Sequence, residues 1–314
     1  MSLNLRSSVP ASSPSYRGSG VLIPLFITAH TFVWIGSTIV LLTVFLSSRI
    51  YRHPTWTNLN LSWILACFSF SCLFTTGQLY NPRPSFPVCL VQASAIYSVP
   101  SLTSGATLAV AISLFLRIRN TGTRRREIDP QVQRTRTLVL VLTPYILPTI
   151  IFFGVLIFGL QHKDQVTLAD NWMVCGLKNP VFGRATDLLV AAIMVPTVTI
   201  GLWTIIYLYR STAASLGRKI IHLLAKLGIF TLFGIFGTIV SSIFSFVRFA
   251  GVWQSAIANV LLALPPLSYI FLFGLQKDIL LVWAFWRRQE EDNFQRVGLR
   301  GNISKGPVKE QERV

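Results

Sequence analysis

Charge is what this chain has least of, and acidic charge above all. Charged residues make up 12% of the sequence, with 11 Asp and Glu against 28 Lys and Arg. Soluble domains carry about 25% charged residues, so a water-soluble fold would have to hide several long apolar runs at once. Four cysteines are too few for a disulfide framework. There is no clustered His/Cys ligand set, no HExxH, no glycine-rich phosphate loop and no pair of carboxylates inside an apolar run. These absences point away from an enzyme, and no metal or cofactor is expected. No internal repeat is visible either, which weighs against transporter folds built by duplication.

What the sequence does have is apolar length. Hydrophobic residues make up 52% of the chain and the mean hydropathy is +0.57. A bilayer core of about 30 Å takes roughly 20 apolar residues at about 1.5 Å each. Seven runs reach that length: 21–47, 59–79, 88–116, 138–160, 185–209, 223–247 and 255–275. They lack two-residue alternation, and lipid demands an internally satisfied backbone, so the spans are expected to be helices. The expectation is an all-α membrane protein, a seven-transmembrane-helix bundle over 21–275. Pro54, Pro82, Pro84, Pro87 and Pro130 are assigned to its connections, where proline's missing N–H costs nothing.

The +17 net charge suggests a nucleic-acid partner, but its distribution does not fit one: the cations lie in short loops between apolar runs. Twenty-one of the 28 Lys and Arg fall on one side of the expected bundle, in the 48–58, 117–136 and 210–226 loops and the tail after 275. That bias places those loops in the cytosol and the N-terminus outside, as in a multi-pass protein of the plasma membrane. Residues 1–20, rich in Ser and Pro with no acid, read as a disordered extracellular tail. Residues 276–289 carry Ile279 to Trp286 followed by Arg287-Arg288, too few apolar residues to cross. They predict a short eighth helix lying in the cytosolic interface, followed by a disordered cytosolic tail over 290–314. The sequon Asn302-Ile303-Ser304 falls in that tail and is expected to stay unglycosylated.

Cys89 opens span three and Cys175 lies in the longest outside loop. Both face the oxidising side, so a disulfide fastening the loop to the helix top is expected; the alternative is two unrelated thiols. Cys67 and Cys72, within span two, are expected to be free. Span three carries Ser98, Ser101, Thr103, Ser104, Gly105 and Thr107, and closes on Arg117 and Arg119. These arginines, with Arg218 and Lys219, set the topology; a contact with a signalling partner or with anionic lipid is a further role open to them.

Polar groups inside or near the spans are His30, Asn60, Gln78, Gln92, Asp187 and Asn259. Asp187 is the single acid within a span, and ionisable residues at membrane depth are functional candidates. His30, Gln92, Asp187 and Asn259 are the candidate ligand contacts. Pairing of Asp187 with Arg184 on the same helix face, and interhelical hydrogen bonding by the others, are the alternatives. Prolines inside spans, at Pro100, Pro144, Pro148, Pro196, Pro265 and Pro266, permit kinks. Pro266 and Tyr269 form a P-x-x-Y near the cytosolic end of span seven and are the candidate switch. Span seven has no lysine, which leaves a retinal Schiff base nowhere to form.

Seven spans, an outside N-terminus, a span-three cysteine with a partner in the second outside loop, P-x-x-Y and a short interfacial helix together resemble a G-protein-coupled receptor. Against the large rhodopsin-like class there are departures: no acid precedes Arg117 or Arg119, span two has no aspartate, span six has no proline, and Pro265 stands before P-x-x-Y. Arg52-His53-Pro54-Thr55-Trp56, Pro84 to Gln92 and Phe273-Gly274-Leu275-Gln276-Lys277-Asp278 are more similar to the receptor-like seven-span proteins of mushroom-forming fungi. A distant similarity to fungal lipopeptide pheromone receptors accompanies it. The resemblance implies an extracellular or membrane-soluble ligand, and signalling to a heterotrimeric G protein through helix rearrangement. A transporter or lipid-handling protein of seven spans is the competing reading.

Overall fold

In the computed structural model, the residues described are 21–47, 52–122, 129–169, 173–211, 218–246, 252–274, 279, 280 and 282. Residues 1–20 and 283–314, with the expected tails, lie outside them, as does nearly all of the interfacial helix expected over 276–289. The described chain is a helical bundle with one small hairpin. Its helices are α1 (Leu22–Leu46), α2 (Pro54–Phe70), α3 (Cys72–Thr75), α4 (Phe86–Gly122), α5 (Pro130–Gln161), α6 (Val181–Ser211), α7 (Arg218–Phe246), α8 (Val252–Leu261) and α9 (Leu264–Tyr269). Strands β1 (Val166–Leu168) and β2 (Cys175–Leu177) pair antiparallel, with Leu168 opposite Cys175. Five helical stretches are long and apolar enough to cross a membrane: Leu22–Leu46, Phe86–Arg119, Pro130–Gln161, Val181–Tyr207 and Ala256–Gly274. The chain therefore has the helices of a multi-pass membrane protein.

Helix α4 is the axis. It packs against α2, α5, α6 and both strands, while α1 packs on α2, α6 on α7, and α8 on α1 and α7. Half of its apolar window is buried, against 17% in α5 and α6, so α4 is central and those two are peripheral. A central helix needs small side chains, and here they are mostly hydroxyls. Ser98, Ser101, Thr103, Ser104 and Thr107 are all buried. Each donates its O–H to a carbonyl three or four residues back in the same helix, which satisfies the group without a partner helix.

Helix boundaries differ from the sequence-based ones in a consistent direction. Pro54 and Pro130 are not in connections; they start α2 and α5, where the first N–H of a helix has no intrahelical acceptor to lose. Pro87 likewise sits in the first turn of α4. Arg117 and Arg119 continue α4, and Arg134 and Arg136 belong to α5. At 37 residues, α4 is about 55 Å long, well beyond the thickness of a bilayer core. The expected span 59–79 breaks at Ser71. The expected span 255–275 is interrupted at Leu262 and Ala263, and ends as a π-helix over Ile270–Gly274. Pro265 and Pro266, which lack the N–H needed for a regular ladder, sit at that interruption.

The two ends of the bundle are chemically distinct. One carries the hairpin and the start of α4; the other carries Arg117, Arg119 and the starts of α2, α5 and α7.

Candidate functional site

At the hairpin end, Cys89 and Cys175 form the expected disulfide, with a Cα–Cα distance of 5.2 Å. Cys67 and Cys72 are free thiols. Hydrogen bonds hold the same strand down. Gln92 accepts the Cys175 N–H through Oε1 at 3.0 Å and donates through Nε2 to the Ser69 carbonyl at 3.2 Å. The Tyr97 hydroxyl accepts the Leu177 N–H at 3.2 Å. Just before β2, Met173 is fully buried and packs with Ile23, Phe26, Leu73 and Ala256. The hairpin is thus a fixed cover, pinned to α4 and wedged between α1 and α8.

Toward the middle of the bundle lies a cavity of about 170 Å³ lined by α2, α4, α6, α7 and the α8–α9 break. Its apolar wall includes Trp63, Phe70, Val99, Met194 and Phe230. Polar side chains come from Thr103, Ser104 and Thr107 of α4, Asp187 of α6, and Thr231, Thr238 and Ser241 of α7. Ser241 donates its hydroxyl to Asp187 Oδ1 at 2.5 Å, which links α7 to α6. Two glycines let α7 approach its neighbours. A Cβ on Gly234 would sit 2.9 Å from Met194 Cε, and one on Gly237 would sit 3.0 Å from Pro265 Cγ. An apolar cavity of about 150 Å³ accommodates a benzene-sized molecule, so this one suits a small ligand.

Of the four candidate ligand contacts, Asp187 lines this cavity and the other three are placed elsewhere. Gln92 fastens the hairpin. His30 is buried between the rings of Phe26 and Phe70, with Nδ1 2.9 Å from the Phe26 carbonyl oxygen. Asn259 directs Nδ2 at Met173 Sδ, 3.9 Å away. Asn60 is buried and donates to the Ser37 carbonyl at 3.1 Å, linking α2 to α1. Gln78 is bound to Ser85 through both its amide and its carbonyl oxygen. Sequence reasoning missed Ser241, Trp63 and Tyr97. No local signal marks Ser241 among the other serines, since its partner is 54 residues away.

At the arginine end, Tyr269 is fully buried in an aromatic cluster. Its ring stacks on Trp63 and Phe273, at 6.0 and 5.6 Å, and meets Phe230 at 6.0 Å. Pro266 is buried beside it in α9. Trp63 and Phe230 also line the cavity, so this cluster is its floor. Arg117 and Arg119 are exposed on the last turns of α4. Arg218 and Lys219 open α7, and their side chains lie outside the described residues.

His53, which is not among the candidate site residues, caps α2: its Nδ1 accepts the Thr55 N–H at 3.4 Å. The Thr55 and Ser113 hydroxyls lie 2.7 and 3.4 Å from the same nitrogen, which joins the cap to α4. Burial, then the neighbouring Arg117 charge, holds the imidazole pKa below its usual value, favouring the neutral ring that an N-cap acceptor requires. Pro54 was the available signal, since proline favours the first position of a helix and so marks the residue before it as the cap.

Comparison with protein-family models gives no match, and comparison with curated proteins gives none either.

Proposed function

We propose that the chain is a seven-span receptor of the fungal G-protein-coupled-receptor type. In this reading α2 with α3, and α7, complete the five apolar spans to seven. The hairpin end is extracellular, the arginine end is cytosolic, and the membrane is the plasma membrane. A small extracellular or membrane-soluble ligand occupies the cavity and shifts the balance between two packings of the bundle. It can do so only by its difference in affinity for them.

One observation carries the proposal: the cavity and the Tyr269 cluster share Trp63 and Phe230. A ligand that moves either ring displaces α9 and the helix ends around Arg117, Arg119, Arg218 and Lys219, the surface offered to a heterotrimeric G protein. The test is guanine-nucleotide exchange on co-expressed fungal G-protein α-subunits. Basal exchange above that of empty membranes is expected, and its loss in an Arg117→Ala, Arg119→Ala variant. Exchange indifferent to both substitutions would sink the coupling. One feature favours the competing transporter reading: the helix break at Leu262–Ala263 adjoins the cavity, as broken helices adjoin transporter sites. That reading requires solute flux across reconstituted vesicles and no response to guanine nucleotides.

A further inference from the structure

The polar side chains that line the cavity are engaged within the protein. The hydroxyls of Thr103, Ser104, Thr107 and Thr238 donate to carbonyls of their own helices. Ser241 donates to Asp187, and Asp187 and Thr231 each have a further interaction. The Trp63 indole N–H has no partner among the described residues, but it is sealed within the packing, where a molecule in the cavity cannot touch it. The surface left facing the cavity is overwhelmingly carbon, from Ala66, Phe70, Val99, Val190, Met194 and Pro265 among others. Such a wall offers a polar group little in exchange for the water it leaves, the costly case for burial. An apolar molecule loses nothing there and gains the area it buries. One wall is also the boundary with lipid. Val190 and Met194 of α6 line the cavity, whereas Leu188 and Val195 of the same helix are exposed.

We propose that the cavity takes an uncharged hydrocarbon with no polar head, about the size of one aromatic ring, which reaches it from the bilayer. The inference rests on reading this cavity as the ligand site. At about 170 Å³ it slightly exceeds the apolar cavity of about 150 Å³ that holds benzene. Hydrocarbons concentrate in the lipid core, so the membrane is the reservoir and α6 is the wall to be passed. The molecule packs against Trp63 and Phe230, the rings shared with the Tyr269 cluster. Asp187 and the hydroxyls serve the fold instead: the Ser241–Asp187 hydrogen bond ties α7 to α6. Burial alone holds the ligand, so selection is by volume and by exclusion of charge.

The test uses the full chain in phosphatidylcholine nanodiscs and four one-ring probes: toluene, phenol, benzylamine and benzoate. Uptake at known free concentration is measured in sealed cells, and partition into lipid is subtracted with empty nanodiscs. Saturable uptake of toluene is expected in the parent. It should be lost in the cavity-filled variants Ala66→Phe and Val190→Phe, the second on the peripheral α6 in case the first fails to fold. Phenol should bind about ten-fold more weakly than toluene, and benzylamine and benzoate more weakly still. Thr107→Val, which replaces a hydroxyl by a methyl, should hold or raise toluene affinity. Phenol as tight as toluene would show that an acceptor serves the ligand, such as the Leu262 carbonyl, whose usual N–H partner Pro266 lacks. Benzylamine tighter than toluene would give that role to Asp187. Either result overturns the proposal. So does toluene uptake that is absent in the parent, equal in the parent and the filled variants, or weakened in Thr107→Val. Uptake needs no G protein and basal exchange needs no ligand, so failure of the ligand class is separable from failure of the receptor reading.

Discussion

Gln92 and Cys175 are joined across 83 residues by a hydrogen bond from the Cys175 backbone N–H to Gln92 Oε1. One turn earlier in α4, Cys89 holds the same residue covalently. The disulfide limits how far the strand can move, and Gln92 fixes its height and satisfies a buried N–H. The cover over the bundle thus depends on a covalent and a polar fastening on one face of one helix.

Both fastenings can be removed singly. Cys89→Ser opens a loop of 86 residues, for which chain entropy in water gives about 4.6 kcal/mol. A bilayer already confines the unfolded chain, so a smaller loss is expected, about 2 kcal/mol. Gln92→Leu leaves the Cys175 N–H buried and unpaired and should cost about 1–3 kcal/mol. Thermal unfolding of the purified protein in detergent, with and without reductant, reads both. A Gln92→Leu variant melting with the parent would show the hairpin to be held by the disulfide alone.

His53 gives the fold a pH dependence. Its pKa in the fold lies below the usual 6.5, so the neutral form is favoured on folding. The resulting stability is fully present above the unfolded value, about 6.5, and is lost as pH falls through the lower folded value. Protonation removes the Nδ1 lone pair that caps α2 and sets a cation beside Arg117. Acidification below about 6.5 should therefore lower the melting temperature of the parent more than that of His53→Asn, which caps without titrating. Parallel pH profiles for the two proteins would exclude the role.

Apolar length was legible because lipid leaves the backbone no other solution. Helix ends were not, because α4 and α5 continue past any apolar run, carrying Arg117, Arg119, Arg134 and Arg136 with them. Asp187 stood out as a lone acid among apolar residues, and it does line the cavity. Gln92, His30 and Asn259 looked equivalent to it in sequence. What separates them is the neighbour each one meets: a strand backbone, two phenylalanine rings and a methionine sulfur. Those neighbours are set by which helices adjoin, and no local pattern encodes that.

The glycines of α7 should respond differently to the same substitution. Ala favours helix by about 1 kcal/mol over Gly. Gly234→Ala meets the flexible tip of Met194, which can move aside, so a neutral or slightly stabilising effect is expected. Gly237→Ala meets the ring of Pro265 at 3.0 Å, a rigid neighbour beside the helix break. Overpacking there should cost about 1–3 kcal/mol and push α7 away from α9. Melting temperatures of the two variants, measured side by side, check the contrast; equal shifts would mean that the Pro265 contact relaxes as easily as the Met194 one.

Tyr269 decides whether the aromatic cluster acts through its rings or through a hydroxyl. The residue is buried, and its O–H has no hydrogen-bond partner among the described residues. A buried polar group left unpaired costs about 1–3 kcal/mol. Tyr269→Phe, which keeps the stacking on Trp63 and Phe273, should therefore hold or raise stability. Tyr269→Ala removes the ring and should lose about 3–5 kcal/mol. If the cluster transmits ligand occupancy by packing, Tyr269→Phe keeps parental nucleotide exchange, while Tyr269→Leu, apolar but unable to stack, changes it. Exchange in Tyr269→Phe that drops to the level of Tyr269→Leu would instead show that the hydroxyl gains a partner in the second packing of the bundle, where the rings alone do not set the equilibrium.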